Sequence, residues 1–453
     1  MACTEPQTVL AEIQTSPTSP LAEGIPSARP ALKKWLPIIA RFTFIQGLVQ
    51  LLGFAAGILI VRQLPKREYA FYTIGNTMLA TILLLADSGI SSALSAIGGR
   101  IWQDNKRLGS LMNTALQLRR QLAVLTVLVV VPVLVWLLRQ NGAHFLETVL
   151  LILAVLAGSG LELITRIYSV ALRLKSQIRQ IQKQALVAAF MKLAVVGVAI
   201  FVFFNALVAI LSVVIGYAVQ FWMLRRWTDR NIDKDAPKDD AMRSEIVSVI
   251  QKQAPHSIYF CLQGQITVWL ISIFGSADNV ANVGALGRLA VLFLIVSSVS
   301  VEVILPAFSR IQSPHQLRRR FFQIVSGYFA ISTLLMSVII AFPRQILSVL
   351  GSQYANLQSE GILMAASAIV AAIGGLLWTV NAARAWIVPP HILIPCTIVL
   401  QVVLVMILDL STVRGVLLFS IYSGLPGIIL SMWWAMRRMW ELPIASHASN
   451  YGV

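Results

Sequence analysis

The chain contains 453 residues, of which 57% are hydrophobic and only 12% are charged, and its mean hydropathy is +0.77. Soluble domains carry roughly 25% charged residues, so this composition excludes a soluble globular fold. The net charge of +17 does not indicate a nucleic-acid partner, because Lys and Arg occur in short clusters between apolar runs, as in cytoplasmic membrane loops, and not on one face of a domain.

The predicted elements begin with a polar tail. Residues 1–34 are rich in Pro, Ser, Thr and Glu and lack an apolar core, which predicts a disordered, retained tail and not a signal peptide. Apolar runs of about the length that crosses the hydrocarbon follow it. Turn-forming residues such as Pro65, Asn205 and Pro389 separate these runs. The runs cover approximately residues 35–61, 69–97, 121–138, 147–170, 184–204, 206–224, 253–274, 283–308, 324–342, 361–386, 392–408 and 415–436.

This pattern predicts an all-α polytopic membrane protein of about twelve transmembrane helices. Cytoplasmic loops carry an excess of Lys and Arg. The loop from Arg100 to Arg120, which includes Arg119, and the loops that begin near Arg173 and Arg310 are basic, so we expect both termini in the cytoplasm. The longest polar break divides the helices into two sets of six, which allows a pseudo-two-fold axis along the membrane normal. The predicted domains are a cytoplasmic tail at 1–34, a six-helix bundle at 35–226, a cytoplasmic linker at 227–251, a second six-helix bundle at 252–438 and a cytoplasmic tail at 439–453.

Charged residues within the predicted helices are costly in hydrocarbon and usually face a cavity or a partner. Glu162 and Arg166 lie four residues apart on one helix face, so they can pair directly. Lys192 lies near mid-depth with no acidic residue at helical spacing, which favours contact with an anionic ligand such as a diphosphate. A structural pair between Lys192 and Asp87 is the alternative. The charged residues within the predicted helices are Arg41, Asp87, Glu162, Arg166, Lys192, Arg288 and Glu302.

The sequence shows no pattern that indicates catalysis. A GxxxxGK[ST] phosphate loop and an HExxH zinc motif are both absent, and no histidine has a spacing that suits a nucleophile or a metal. The three cysteines form no CxxC pair, which argues against a disulfide framework or a structural zinc site. We therefore expect no enzymatic activity, no cofactor and no metal site.

Two segments carry a family resemblance. Residues 57–89 read GILIVRQLPKREYAFYTIGNTMLATILLLADSG, and residues 306–310 read PAFSR. The first segment resembles the opening of Wzx-type polysaccharide flippases, which belong to the multidrug/oligosaccharidyl-lipid/polysaccharide exporter (MOP) superfamily. The second is similar to the end of that family's helix 7–8 pattern. Ala70 in the first segment, and Gln265 and Ala285 in the second half, depart from the family pattern. The residues that match in the first segment are Arg62, Leu64, Tyr69, Tyr72, Asp87 and Gly89.

The resemblance implies a flippase that moves an undecaprenyl-diphosphate-linked oligosaccharide from the cytoplasmic to the periplasmic leaflet of a bacterial inner membrane, for O-antigen or exopolysaccharide biosynthesis. It implies a V-shaped molecule whose two bundles alternate access around a central cationic cavity. The expected partners are this polyprenyl-diphosphate-linked glycan, membrane lipids and a polysaccharide polymerase, with no nucleic acid, and the expected assembly is a monomer. On this hypothesis the substrate-binding residues are Arg41, Arg62, Lys192 and Arg288, and the residues of ion coupling or structural pairs are Asp87, Glu162, Arg166 and Glu302.

Three other functions compete with this hypothesis. A cation-coupled multidrug or metabolite antiporter of the same superfamily would favour acidic residues at its site, whereas the lone mid-depth charge here is Lys192. A membrane-embedded glycosyltransferase would need long outer loops with carboxylates, and the largest predicted outer loop spans only 343–360. A non-transporting scaffold would not explain why a charged residue without a partner lies within the membrane.

Overall fold

The computed structural model describes residues 28–175, 177–229, 233, 236–290, 293, 308, 311, 313–382, 384, 386 and 388–441, without the side chains of residues 28–43, 253 and 256. Within these ranges the regular structure is helical and no strand occurs. The described residues from Ile45 onward belong to one compact unit. Two short 3-10 turns cover Gly287–Ala290 and Ser352–Tyr354. The α-helices are α1 (Ala28–Gln63), α2 (Lys66–Asp87), α3 (Ile90–Ile101), α4 (Asn105–Gln140), α5 (Phe145–Leu174), α6 (Ile178–Val202), α7 (Ala206–Thr228), α8 (Asp240–Phe274), α9 (Ala277–Leu286), α10 (Pro314–Ala341), α11 (Pro343–Leu350), α12 (Gln358–Ala382), α13 (Pro390–Ile407) and α14 (Val413–Glu441).

Eleven of the described helices are long and apolar enough to cross a membrane, namely α1, α2, α4 to α8, α10 and α12 to α14. This confirms the predicted all-α polytopic membrane fold. The predicted run 283–308 begins within α9, and from residue 291 onward it lies outside the described residues except at positions 293 and 308. The predicted site residue Glu302 therefore lies outside the described part of the chain, and so does the side chain of Arg41.

The second predicted run, 69–97, is wrong as a single helix. The chain leaves α-helical geometry at Ser88 and Gly89, whose φ angles are 31° and 99°, and resumes as α3. A positive φ is readily adopted by glycine and is uncommon for serine, so the Asp-x-Gly motif marks a helix break. Asp87 therefore stands at the C-terminal end of α2 instead of in the middle of a longer helix.

Several helices begin earlier than their apolar runs predict, and α4 and α8 do so by the widest margins. α4 starts well before the predicted run 121–138, and α8 starts within the predicted linker 227–251. Each start is fixed by an N-cap aspartate, Asp104 or Asp239, whose side chain accepts hydrogen bonds from backbone N–H groups of the first turn. As a consequence Arg119, which the loop assignment made cytoplasmic, lies inside α4.

Helix α2 is the most buried of the described membrane helices, with 78% of its apolar segment buried. It packs against α4, α5 and α7 of the first half and against α8 and α9 of the second half. The approach to α9 is close because Gly284 has no side chain: a Cβ at this position would lie 2.7 Å from Thr73 Cγ2. α2 thus joins the two halves, and it carries Tyr69, Tyr72 and Asp87 into their contact region.

Candidate functional site

Asp87, at the C-terminal end of α2, forms an ion pair with Arg119 of α4. The pair is enclosed, since the side chains of Arg119 and Asp87 are only 3% and 22% exposed. Arg119 Nη1 also donates a hydrogen bond to the carbonyl of Leu163 on α5 at 2.8 Å, and Ser91 Oγ donates to Asp87 Oδ1 at 2.7 Å. A carboxylate is unfavourable at the negative end of a helix dipole, and the guanidinium of Arg119 compensates for it. The pair therefore ties α2, α4 and α5 together.

Sequence reasoning missed Arg119. The sequence pattern predicts a cytoplasmic loop for both Arg119 and Arg120, because the two residues directly precede an apolar run, yet Arg120 is exposed and Arg119 is buried. A signal existed, because Leu108, Leu111 and Ala115 are buried at helical spacing and Arg119 continues their face. The alternative in which Asp87 pairs with Lys192 is not found, since the ion pair of Asp87 is with Arg119.

Glu162 and Arg166 of α5 come together as their spacing predicts, with Arg166 Nε donating to Glu162 Oε1 at 3.1 Å. Glu162 Oε2 is buried and has no hydrogen-bond partner among the described residues. Arg119 and Tyr217 also interact electrostatically with Glu162. Asp87, Arg119, Glu162 and Arg166 therefore make up one first-half charged cluster, in which two acidic residues are balanced by two basic ones.

Arg288 and Lys192 approach the same tyrosine of α2. Arg288, in the turn after α9, donates from Nε to the Tyr69 hydroxyl and from Nη2 to the Tyr72 hydroxyl, each at 3.3 Å. Its Cζ lies 5.7 Å from the centroid of the Tyr72 ring, and Lys192 of α6 interacts electrostatically with Tyr72. Within the described ranges, no carboxylate forms an ion pair with Arg288 or Lys192. We call Tyr69, Tyr72, Lys192 and Arg288 the Tyr72 cluster. Among the described residues, its two cations form no ion pair with an acidic side chain.

Arg62 bonds to a different part of the second half. It is exposed, and it donates from Nε to the carbonyl of Val349 at 2.9 Å and from Nη2 to the carbonyl of Ser348 at 2.7 Å. These carbonyls lie at the C-terminal end of α11, where a cation is favourable. Of the predicted substrate-binding cations, Lys192 and Arg288 thus both interact with Tyr72, and Arg62 links the two halves.

A cavity of about 690 Å³ lies among α8, α12, α13 and α14 and reaches the helix break after α2. We call it the second-half cavity. Among its described lining residues only Asp87 is charged, so these residues do not form the cationic cavity that the resemblance implies. Its aromatic lining residues are Tyr259, Phe260 and Trp378. Its neutral aliphatic hydroxyl and amide residues are Ser88, Ser257, Gln263, Ser367, Thr397, Ser420, Ser423 and Ser431.

Comparisons with known proteins agree with this fold. No protein-family model matches the chain, and no curated protein matches its sequence. Solved structures do match. The inward-facing conformation of a multidrug resistance MATE family transporter of the MOP superfamily gives a TM-score of 0.66 at 17% identity, over 87% of this chain and 96% of that one. An outward-facing conformation of a multidrug resistance MATE family transporter gives a TM-score of 0.58 at 17% identity, over 87% and 93% of the two chains.

A third similar structure is a MOP superfamily transporter from Pyrococcus furiosus, described as having a binding pocket of reverse polarity that suggests a different function. It gives a TM-score of 0.55 at 17% identity, over 87% of this chain and 93% of that one. At these identities the likeness shows the fold alone. This chain has the helical two-lobe membrane fold of MATE transporters, which confirms the fold that the resemblance to the MOP superfamily implies. The narrower resemblance to Wzx-type flippases stays a prediction.

Proposed function

We propose that this protein is a membrane transporter that works by alternating access. The observation that carries the proposal is the likeness to a MATE family transporter over 87% of the chain, with a TM-score of 0.66. In such a cycle two helical bundles move relative to each other and open a binding region to one side of the membrane at a time. The TM-score is higher for the inward-facing structure than for the outward-facing one, 0.66 against 0.58, which supports an inward-facing state.

Hydrogen bonds between the halves support the same state. With both termini in the cytoplasm of a bacterial cell, as we propose, the end of α4 and the turns after α1 and α8 lie on the periplasmic side. Four side chains there donate to backbone carbonyls of the other half, and we call this set the outer junction. Arg62 donates to the carbonyls of Ser348 and Val349, Gln140 to Ile273, Asn141 to Ser272 and Gln353 to Val61.

The first candidate substrate class is a drug or metabolite exchanged for a cation. The comparisons favour this antiporter over a flippase, because structures of this fold are described as multidrug resistance transporters. The Pyrococcus furiosus protein, with its reverse pocket polarity, indicates that the fold does not dictate the charge of the substrate. For coupling we favour Glu162, because its Oε2 is buried and without a hydrogen-bond partner among the described residues, while Oε1 accepts from Arg166.

The second candidate is the lipid-linked oligosaccharide flippase of the bacterial inner membrane, with a polysaccharide polymerase as partner. One observation favours it: the Tyr72 cluster holds two cations, and the described residues offer them no carboxylate. Cations in a membrane interior need a counter-charge, and a lipid diphosphate supplies one through charge-assisted hydrogen bonds. Arg62 is less suited to substrate binding, since its guanidinium already bonds to two carbonyls.

Purified protein in liposomes separates the two candidates. An antiporter should move the fluorescent cation ethidium only when a pH or sodium gradient is imposed, and Glu162→Gln should remove this dependence. A flippase should move a fluorescent polyprenyl-diphosphate-linked sugar between leaflets, which is measured by quenching the outer leaflet. Lys192→Ala and Arg288→Ala should abolish the second activity and spare the first. Movement of neither probe would contradict the transport proposal.

A further inference from the structure

Some glycines that line the second-half cavity do not serve helix packing, unlike Gly424, where an added Cβ would lie 2.6 Å from Val370. In membrane bundles glycines usually let neighbouring helices come close. Here the lining glycines Gly264, Gly375 and Gly427 face open space, because a Cβ built on any of them would meet no described atom within 4 Å. The space that a side chain would fill at each of these positions therefore belongs to the cavity. At about 690 Å³, the cavity is within the range of small-molecule sites.

The polar lining is neutral and able to form further hydrogen bonds. The hydroxyls of Ser367 on α12 and Ser420 on α14 lie 2.7 Å apart, and the Tyr259 hydroxyl interacts with the side chains of Thr397 and Gln263. A hydroxyl has one donor and two acceptor positions, so these contacts leave capacity for a ligand. Such groups are costly inside a membrane unless they are satisfied. A purely hydrocarbon occupant would leave this capacity unused.

Aromatic rings supply the apolar part of the lining. The Phe260 and Trp378 ring centroids are 5.6 Å apart, and those of Tyr259 and Phe260 are 5.4 Å apart with the rings at 83°. These rings combine an extended apolar surface with nearby hydroxyl and amide groups. A sugar ring matches this combination, because it has C–H faces for the aromatic rings and hydroxyls at its edges.

Charge excludes ionic head groups from this site. The charged lining residue, Asp87, is already paired with Arg119 and accepts from Ser91. An organic cation would have to compete with Arg119 for this carboxylate, and an anion would meet no cation among the described lining residues. Burying a charge without a partner costs more than any hydrogen bond gained from a hydroxyl.

We propose that the second-half cavity binds the neutral sugar group of a glycoside, meaning an amphiphile whose sugar is joined to an apolar chain. The sugar lies against Phe260 and Trp378 and bonds to Gln263 and the surrounding hydroxyls. The inference deepens the proposed transport function, and it rests on that function for the claim that the glycoside is moved and not merely held.

Site-specific labelling tests the proposal on the full chain in lipid nanodiscs. Cys3, Cys261 and Cys396 are replaced by alanine, and Gly427→Cys is then alkylated with a fluorescent maleimide. The matched control is Gly197→Cys on α6, where a Cβ also meets open space but which does not line the cavity. The probes are octyl glucoside, octyltrimethylammonium and octyl phosphate below their micelle concentrations, which share one chain and differ in the head group.

Octyl glucoside should slow labelling of Gly427→Cys by at least about fivefold, the effect of one net hydrogen bond, and leave Gly197→Cys unchanged. Trp378→Ala should remove this protection, whereas Trp433→Ala, on α14 but outside the cavity lining, should keep it. Equal protection by the three probes, better protection by a charged probe, or no protection at all would each overturn the proposal. Protection without transport of any substrate in liposomes would instead overturn the transport function and leave the binding site in place.

Discussion

The first-half charged cluster and the second-half cavity show two different ways of placing polar groups inside a membrane. In the first half, acidic and basic side chains neutralise each other and hold α2, α4 and α5 together. In the second half, uncharged hydroxyl and amide groups surround a volume that glycines keep open. The difference teaches that buried charge in this chain ties helices together, whereas small neutral residues create space. Four predictions, each based on substitutions, can break or sharpen this contrast.

The largest effect is expected at the buried ion pair. Arg119→Ala leaves Asp87 without its partner, and we expect the free energy of unfolding to fall by about 3–5 kcal/mol. Denaturation of the purified protein in detergent measures this loss. Arg120→Ala is the matched control, because its exposed side chain should change stability by less than about 0.5 kcal/mol. Equal losses in the two variants would contradict a structural role for the pair.

Two glycines should respond in opposite ways to the same added methyl group. Gly284→Ala places a Cβ against Thr73 at the contact of α9 with α2, and overpacking of this kind costs about 1–3 kcal/mol. Gly427→Ala enters open space, so it should be neutral or stabilising by up to about 1 kcal/mol, the helix-propensity difference between glycine and alanine. Melting temperatures of both variants test the contrast, and a loss at Gly427 would mean that its surroundings are packed.

The pair on α5 should matter less than the pair between helices, because the side chain of Arg166 is 36% exposed. Solvent screening reduces the cost, so we expect Glu162→Ala to destabilise by about 1–2 kcal/mol. The double variant Glu162→Arg/Arg166→Glu should retain most of the stability, because it keeps one acid and one base on the same face. If the alanine variant is as stable as the double variant, this face meets water.

The smallest change in stability is expected at Lys192, which has no ion pair among the described residues. Lys192→Ala should therefore reach the membrane at normal levels. If the flippase proposal holds, export of the anionic lipid-linked sugar should fall at least about tenfold, the value of a charge-assisted hydrogen bond, and Lys192→Arg should retain part of it. Lys183→Ala, at an exposed position of the same helix, is the control. Normal export by Lys192→Ala would remove Lys192 from the substrate site, and degradation of the variant would indicate a structural role for this lysine.

Much of the membrane architecture could be predicted from the sequence, because hydropathy and helical spacing are local properties. Apolar runs predicted the polytopic fold, and the spacing of Glu162 and Arg166 predicted their contact. The sequence did not predict the helix break at Ser88 and Gly89, since the apolar run continues through it and glycine also occurs within helices. The burial of Arg119 was not predicted, because every basic residue at the edge of an apolar run is treated as a loop residue.

The candidate site could be predicted only in part. Lys192 and Arg288 were selected as cations within helices, but their meeting at Tyr72 depends on the packing of α2, α6 and α9. The second-half cavity had no sequence signal of its own. Its walls come from helices far apart in the chain, and the same glycines at a closer helix spacing would have produced tight packing instead.

The outer junction has a consequence for how the sequence can evolve. All its acceptors are backbone carbonyls, which every amino acid supplies, so substitutions at positions such as Ser348 or Ser272 leave the acceptors in place. Only the donors Arg62, Gln140, Asn141 and Gln353 are constrained by their side chains. Paired substitutions between the halves are therefore unnecessary, and covariation between aligned relatives would carry little trace of this junction even though it holds the two halves together.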